Sequence, residues 1–559
     1  MLGPTAHLDS FTRDNLPPPD LWPVLSLDRP EFSYPERLNA GVELVDRQVE
    51  RGFGDRVALK SNTESITYRE LASLTDRIAR FLAEGLGAVP GNRILIRSAN
   101  NPRMVACWLG AMKAGLVVVN SMAMLRAGEL TKLVDKAQIA FALCDRRLAA
   151  DLQTCAGGSA FLKTVVHFDG SGAGGDELEQ RLAETPEGFA AVETGRDDVA
   201  LLGFTSGTTG TPKATMHFHR DILAIADGYA REVLDPQPDD VFTGSPPLAF
   251  TFGLGGLAVF PLRFGATALL LEDGRPKQLL EAIARHGATL VFTAPTAYRA
   301  MLDAADAVGG DLFASLRAAV SAGETLPAAV FRAWRERTGV PILDGIGSTE
   351  MLHIFVSNRF GEEQPGSTGR PVTGYEARIV DEDMNPLPPG QVGRLAVRGP
   401  TGCRYLADER QRDYVRDGWN LTGDAFVMEE DGRFRFAART DDIILSAGYN
   451  ISGPEVEDAL LSHPDVDECA VVGAPDQDRG QVVQAHVVLR PGVAASDAKA
   501  RELQDHVKAT IAPYKYPRSL RFVDALPKTP TGKIQRFRLR EQAAQEAAGR
   551  PSPASPQTL

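Results

Sequence analysis

The sequence predicts a large N-terminal α/β domain with largely parallel sheets, followed by a smaller α+β domain. Three observations carry this reading. At 559 residues the chain exceeds what one hydrophobic core usually supports. Its first part alternates apolar stripes at helical spacing with short apolar runs of strand length. A second unit, with its own helix start and its own strands, begins near Asp441.

Taken in order, Thr67-x-x-Glu70 reads as a capping box ahead of Leu71, Leu74, Ile78, Phe81 and Leu82, an apolar face at helical spacing. Residues 93–97 form a buried strand, and a helix over 107–116 leads to a strand over 117–120. The stretch 170–175 is a glycine-rich surface loop by composition. The α/β pattern then continues from Val199 to about Arg439. Beyond Asp441, Ser452-Gly-Pro-Glu455 opens a helix with a capping serine, an early proline and a glutamate to close the box. Strands over 469–472 and 485–489 and a helix over 499–511 complete a domain of roughly 100 residues. The expected limits are 1–440 for the large domain and 441–545 for the small one. A Pro- and Ser-rich tail, 546–559, is expected to be disordered.

Composition narrows the function. Hydrophobic residues at 43 % and charged residues at 24 % are ordinary for a globular protein. No apolar run approaches the ~18 residues of a membrane span, and the start, broken by Pro17, Pro18 and Pro19, has no signal pattern. Five scattered cysteines (Cys107, Cys144, Cys155, Cys403, Cys469) form no CxxC pair, which favours a reducing cytoplasm over a disulfide framework or a zinc site. The net charge of −13 argues against a nucleic-acid partner. An acidic protein that handles polyphosphates must place its basic groups locally.

Such a place is Thr205-Ser-Gly-Thr-Thr-Gly-Thr-Pro-Lys213, directly after the apolar run 200–204. A strand feeding this turn presents backbone N–H groups and the hydroxyls of Thr205, Ser206, Thr208 and Thr209 to phosphate oxygens. Gly207 and Gly210 let the backbone approach closely, and Lys213 supplies charge. It is not a Walker A loop, because Lys213 follows Pro212 and precedes Ala214. Taken alone, a stretch of this composition is more often a flexible polar turn.

The loop resembles the signature loop of the adenylate-forming enzymes, and the resemblance holds in order from about residue 35 to 540. Gly345-Ile-Gly-Ser-Thr-Glu350 is similar to that family's second nucleotide motif. The resemblance places Thr349 on phosphate and Glu350 on Mg²⁺, and puts Asp344, Gly345 and Ile346 in the ATP site. Ser321-Ala-Gly-Glu-Thr-Leu-Pro327 resembles the adenine-flanking turn, with Gly323 and Glu324. Trp419-Asn-Leu-Thr-Gly-Asp424 resembles the segment whose Asp binds the ribose hydroxyls. The segment from Arg439 resembles the hinge, with Arg439 near ribose and phosphate and Asp441 as the pivot of a mobile small domain. Pro527-Lys-Thr-Pro-Thr-Gly-Lys533 resembles the loop of the catalytic lysine. Ser446, Ala447, Gly448 and Tyr449 would line the channel for the pantetheine arm of coenzyme A.

The reaction this implies joins a carboxylic acid to ATP, giving an acyl-adenylate and pyrophosphate, and then passes the acyl group to the CoA thiol. A carboxylate attacking a phosphate brings two anions together, so catalysis consists of charge neutralisation and alignment. Lys533, Glu350 and Thr205 carry that role in the family pattern. Asp344-Gly-Ile-Gly-Ser-Thr-Glu-Met-Leu-His-Ile-Phe355 resembles the form found in bacterial benzoate–CoA and 2-aminobenzoate–CoA ligases. Ile346 stands there where the wider family has an aromatic residue. Phe250, Thr251, Ala322, Gly347 and His353 are the candidate pocket for a benzoate-type acid, an ortho-substituted one favoured. Phe252 and His353 read equally as ordinary core, and His217 and His219 as structural. The alternatives are an aliphatic acid, or a carrier protein or amine as acceptor. ATP, Mg²⁺, coenzyme A and an aryl acid are the expected partners of a monomer or homodimer without membrane contact.

Overall fold

The computed structural model describes residues 2–172, 174–205, 212–439, 443–446, 449–476, 480–511, 513–528 and 534–548. Their contacts separate two units, Met1–Ala377 with Ala396–Thr422, and Arg378–Leu395 with Gly423–Leu559.

The first unit holds two sheets. One has six strands in the order Thr164–Phe168, Phe141–Asp145, Arg93–Arg97, Val117–Ser121, Val199–Thr205 and Lys213–Phe218. All neighbours are parallel except the last pair, an antiparallel hairpin. Arg93–Arg97 and Val117–Ser121 are buried throughout, which is why they read as continuous apolar runs rather than alternating ones. The other sheet has nine strands: Arg370–Pro371, Ile354–Ser357, Ile342–Gly347, Ala318–Ser321, Leu290–Thr293, Val241–Gly244, Thr267–Leu269, Val57–Lys60 and Ser65–Thr67. Its six central strands are parallel and its edges antiparallel.

Helix Tyr68–Arg80 begins at Thr67 with both bonds of the expected capping box, and it buries Leu71, Leu74 and Ile78. The helix expected over 107–116 is Pro102–Lys113. Its start lies earlier because Asn101 accepts the Met104 N–H at 2.9 Å and Pro102 fills the first turn, a start signal that the apolar spacing hid. All five cysteines are buried and unpaired. No helix among the described residues is long and apolar enough to cross a membrane.

The α/β alternation expected as far as Arg439 ends earlier. Beyond Ser357 the only α-helix before Arg439 among the described residues is Gln411–Tyr414. The strands Val415–Arg416, Trp419–Met428 and Phe434–Arg439 pair antiparallel. Asp417 (φ 51°) and Gly418 (φ 76°) make the two-residue turn between the first two. Both left-handed angles suit the twist of a tight hairpin, and Asp-Gly is a strong sequence signal for it.

The second unit is α+β, as expected. Strands Tyr449–Ser452, Ile443–Ser446, Gly480–Leu489 and Val466–Asp476 form its sheet, with Ser519–Phe522 added beside Gly480–Leu489. Helices Gly453–Leu461 and Asp497–Thr510 pack Val456, Leu460, Leu503 and Val507 on Val471, Val483 and Val487. Ser452 accepts the Glu455 N–H at 3.2 Å, but the glutamate does not close a box. Its carboxylate is held by Lys515 Nζ at 2.5 and 2.7 Å, a charged partner that outcompetes a backbone N–H. Helix Arg536–Ala548 carries helical structure past 546, where the tail was expected to begin, and 549–559 lie outside the described residues.

A buried ion pair fixes the return of residues 404–406 to the hairpin. Arg404 and Asp221 are both fully buried and bonded to each other, with the guanidinium 4.1 Å over the Phe218 ring. Burial pushes the Asp221 carboxyl up and the Arg404 guanidinium down, so each ion is held charged by the other. Removing one partner strands a buried charge. Arg404→Met is expected to cost about 3–5 kcal/mol, read from the urea midpoint, and Arg404→Met with Asp221→Asn to recover most of it. Equal midpoints for the single and double variants would refute this account of the pair.

Candidate active site

The hairpin Val199–Thr205 and Lys213–Phe218 pairs Thr205 with Lys213. The segment with Ser206, Gly207, Thr208, Thr209 and Gly210 lies outside the described residues. Its two ends are set side by side by the register. Lys213 Nζ donates to Tyr405 Oη at 3.3 Å and lies 5.0 Å over that ring. Tyr405 Oη donates to Glu350 Oε1 at 2.6 Å. An ammonium only donates and a carboxylate only accepts, so the direction of this chain is fixed. Burial, then Cys403 and Glu350, push the Tyr405 phenol far above its usual range, and it remains a donor.

Tyr405 was not singled out from the sequence. It stands 192 residues from Lys213 and 55 from Glu350, with no local pattern to mark it. The link is a short strand-like return. Met216 N–H donates to Arg404 O at 2.7 Å, Leu406 N–H to Ala214 O at 2.8 Å, and Thr215 pairs with Tyr405 between them.

Glu350 reaches this place through a tight turn. Strand Ile342–Gly347 lies beside Ala318–Ser321, so Ser321 faces Asp344 and donates to Asp344 Oδ1 at 2.9 Å. Burial pushes the Asp344 carboxyl up to about 8, against the Ser321 bond that lowers it. Ala322, buried, and Gly323 and Glu324 follow directly, so the two predicted adenine-side segments do meet. Gly345 and Ile346 pair with Ser357 and Val356. At Gly347 a Cβ would fall 2.5 Å from His353 O, so no side chain fits there. Ser348 then caps the turn Thr349–Met351. Leu352 closes it at φ 72°, a left-handed angle that costs a leucine about 1–3 kcal/mol. The turn sends Glu350 to Tyr405 and His353 into the core.

Thr349 lies against the hairpin at Gly203. A Cβ at Gly203 would fall 2.7 Å from Thr349 Cγ2 and 3.7 Å from Thr251 Cγ2. His217 Nε2 lies 2.8 Å from Thr349 O. A carbonyl only accepts, so Nε2 carries the proton, and burial holds this imidazole neutral with its pKa down at about 3. His217 is therefore buried, as expected of a structural residue, but it grips the nucleotide motif. His219, also buried, accepts the Ala40 N–H at 3.0 Å.

The acyl-pocket candidates divide. Phe250 is 44 % exposed at the start of helix Thr251–Leu254. Asn100 brackets the approach to it, donating to Pro246 O at 2.9 Å and accepting the Leu248 N–H at 2.8 Å. Phe252 packs on Phe292 at 5.9 Å between centroids and on His353 at 5.6 Å, so it serves the core. His353 is also ringed by Phe260 at 4.6 Å and Tyr229 at 5.4 Å. Burial brings its pKa down to about 3, and its buried Nδ1 has no hydrogen-bond partner among the described residues.

In the second unit Asp424 is buried and pairs with Arg439 on the neighbouring strand, an adjacency that their separation in sequence conceals. Ser446, buried, pairs with Tyr449. Ala447, Gly448, Asp441 and Lys533 lie outside the described residues. Lys528 and Ile534, on either side of the lysine segment, pair with each other.

The Asp344 carboxyl gives a pH signature. Below its ordinary value of 3.8 both folded and unfolded chains hold the proton; between 3.8 and about 8 only the folded chain does, so stability falls as pH rises through that window. Asn keeps the oxygen that Ser321 needs and cannot ionise. The melting temperature of Asp344→Asn should exceed that of wild type by a margin that is near zero at pH 4 and grows toward pH 8. A margin independent of pH would contradict a protonated Asp344.

Comparison with known proteins agrees with this geometry. Residues 45–405 match the AMP-binding enzyme family, and 455–533 match the AMP-binding enzyme C-terminal domain. A benzoate–CoA ligase of Thauera aromatica is 38 % identical over 91 % of this chain and 97 % of its own length. The structure of the anthranilate–CoA ligase AuaEII with anthranoyl-AMP aligns over 93 % of this chain and all of that one (100 %), with a TM-score of 0.84 and 34 % identity. A benzoate–CoA ligase of Burkholderia xenovorans LB400 aligns over 90 % and 99 %, with a TM-score of 0.79 and 33 % identity. The chain belongs to the AMP-binding, adenylate-forming enzymes, among their acid–CoA ligases.

Proposed function

We propose that this protein is an aryl-acid–CoA ligase that activates a benzoate-type acid, 2-aminobenzoate or another ortho-substituted benzoate favoured. The observation that carries the proposal is the convergence at Gly203. There the phosphate hairpin, Thr349 of the nucleotide turn and Thr251 of the acyl segment meet. An acid held by the 250–251 segment would lie beside the phosphates held by Thr205, Ser206, Thr208, Thr209 and Lys213. The relatives named for benzoate and anthranilate support an aromatic acid. A ring substituent would meet the Thr251 hydroxyl.

Each residue's part follows from charge. Lys213 and the hairpin hydroxyls would hold the β- and γ-phosphates, Asp344 and residues 322–324 the adenine side, and Asp424 and Arg439 the ribose. Glu350 suits Mg²⁺, because a hard cation bridging phosphates takes one or two carboxylates, and only one oxygen of Glu350 is engaged by Tyr405. Bound there, the ion would neutralise the phosphates and ease pyrophosphate departure. Lys533 would bridge the acid's carboxylate and the α-phosphate as charge builds. We take the domains to divide at 440, with Asp441 the pivot that withdraws Lys533 and brings Ser446–Tyr449 to the pantetheine arm.

A pyrophosphate-release assay over a panel of acids tests the substrate class. Benzoate or an ortho-substituted benzoate should be activated far better than medium- or long-chain fatty acids, and faster turnover of octanoate than of every benzoate would defeat the reading. Lys533→Ala should slow adenylation by ~10²–10³, the loss expected for one preorganised donor, and slow thioester formation from synthetic acyl-adenylate much less. Single-turnover measurement of each step reads the split, and equal losses would show that Lys533 does not act in adenylation.

A further inference from the structure

Lys213 and Glu350 are a cation and an anion bonded to the same phenol, yet they do not bond to each other. Tyr405 stands between them, taking a hydrogen bond from Lys213 Nζ at 3.3 Å and giving one to Glu350 Oε1 at 2.6 Å. A direct ammonium–carboxylate contact would pair the two charges with each other rather than leave them to a polyphosphate and its counter-ion. With the phenol interposed, Lys213 keeps two N–H donors and Glu350 keeps Oε2, with no other hydrogen bond to either among the described residues.

The phenol is itself braced. Its backbone N–H donates to Gln411 Oε1 at 2.9 Å, and Gln411 Nε2 donates to Cys403 O at 3.0 Å. Its ring meets the Tyr414 ring edge-on at 5.8 Å, and Tyr414 Oη lies 3.1 Å from Ser348 Oγ, the cap of the Glu350 turn. Tyr405 is fully buried, so the hydroxyl has one position to occupy.

We infer that Tyr405 is a positioning residue for nucleotide binding: its hydroxyl aims the Glu350 carboxylate and holds Lys213 apart from it, so that each stays open to the metal-bound phosphates. This rests on the proposed ligase reading. Tyr405→Phe keeps the ring and its contact with Lys213 and deletes only the hydroxyl. The dissociation constant for MgATP, measured by calorimetry on the full chain without acid, should rise about 3–10-fold, with a smaller change for ATP in EDTA. In pyrophosphate exchange, KM for MgATP should rise more than kcat falls, and half-saturating Mg²⁺ should move upward. In a Glu350→Gln background, Tyr405→Phe should add little, because the hydroxyl acts through that carboxylate. Unchanged MgATP binding, or equal losses in both backgrounds, overturns the inference. Should the Phe variant not fold, 3-fluorotyrosine at position 405 serves instead. Its more acidic phenol should shift the MgATP dissociation constant, and no shift overturns the inference. Absence of exchange with any acid by the wild-type protein would count against the ligase reading, while calorimetry still tests the bridge.

Discussion

The candidate site depends on one steric condition: the backbone of the hairpin formed by Val199–Thr205 and Lys213–Phe218 must lie bare at Gly203. The methyl group of Thr349 occupies the volume a side chain would take, and the methyl of Thr251 stands at contact distance beyond it. Gly347 extends the condition, because its backbone touches the carbonyl of His353. Packed interiors do not yield by an ångström without cost. Any side chain at these points would push apart the hairpin, the Thr349 turn and the Thr251 segment.

Electrostatics are arranged around the same junction. His217 beside it and His353 at the end of the Thr349 turn are neutral, with pKa values near 3, and Asp344 is protonated with a pKa of about 8. What charge remains is placed in pairs or bridges: Arg404 with Asp221, and Lys213 with Glu350 through Tyr405. A site for anionic reactants works best when its fixed charges are few and aimed, since each is worth more in a low-dielectric pocket than in water.

Much of this was legible in the sequence, and for identifiable reasons. The capping box at Thr67, the buried run Arg93–Arg97 and the strand that ends at Thr205 are local patterns that do not depend on distant residues. What stayed hidden was non-local. Tyr405 gains its place from strand pairing with residues 214–216, and Asp424 faces Arg439 only because of a hairpin register. Phe252 and His353 could not be sorted into core or pocket until their ring neighbours were known. The antiparallel region after Ser357 was misjudged for a different reason. Strand Trp419–Met428 is buried along nearly its whole length, so it lacks the alternation that marks an antiparallel strand and reads like the parallel strands before it.

The bracket at Asn100 bears on how such an enzyme changes over generations. One amide fixes both ends of the Pro246–Leu248 step, ahead of the short helix that carries Thr251 and Phe252. That anchor shares no hydrogen bond with the nucleotide turn or the phosphate hairpin among the described residues. Phe250, exposed at the head of that helix, can therefore vary without disturbing the anchor, whereas Thr251 is held at contact distance from Gly203. Along such a segment one position can change down a lineage while its neighbour, fixed by packing, stays as it is.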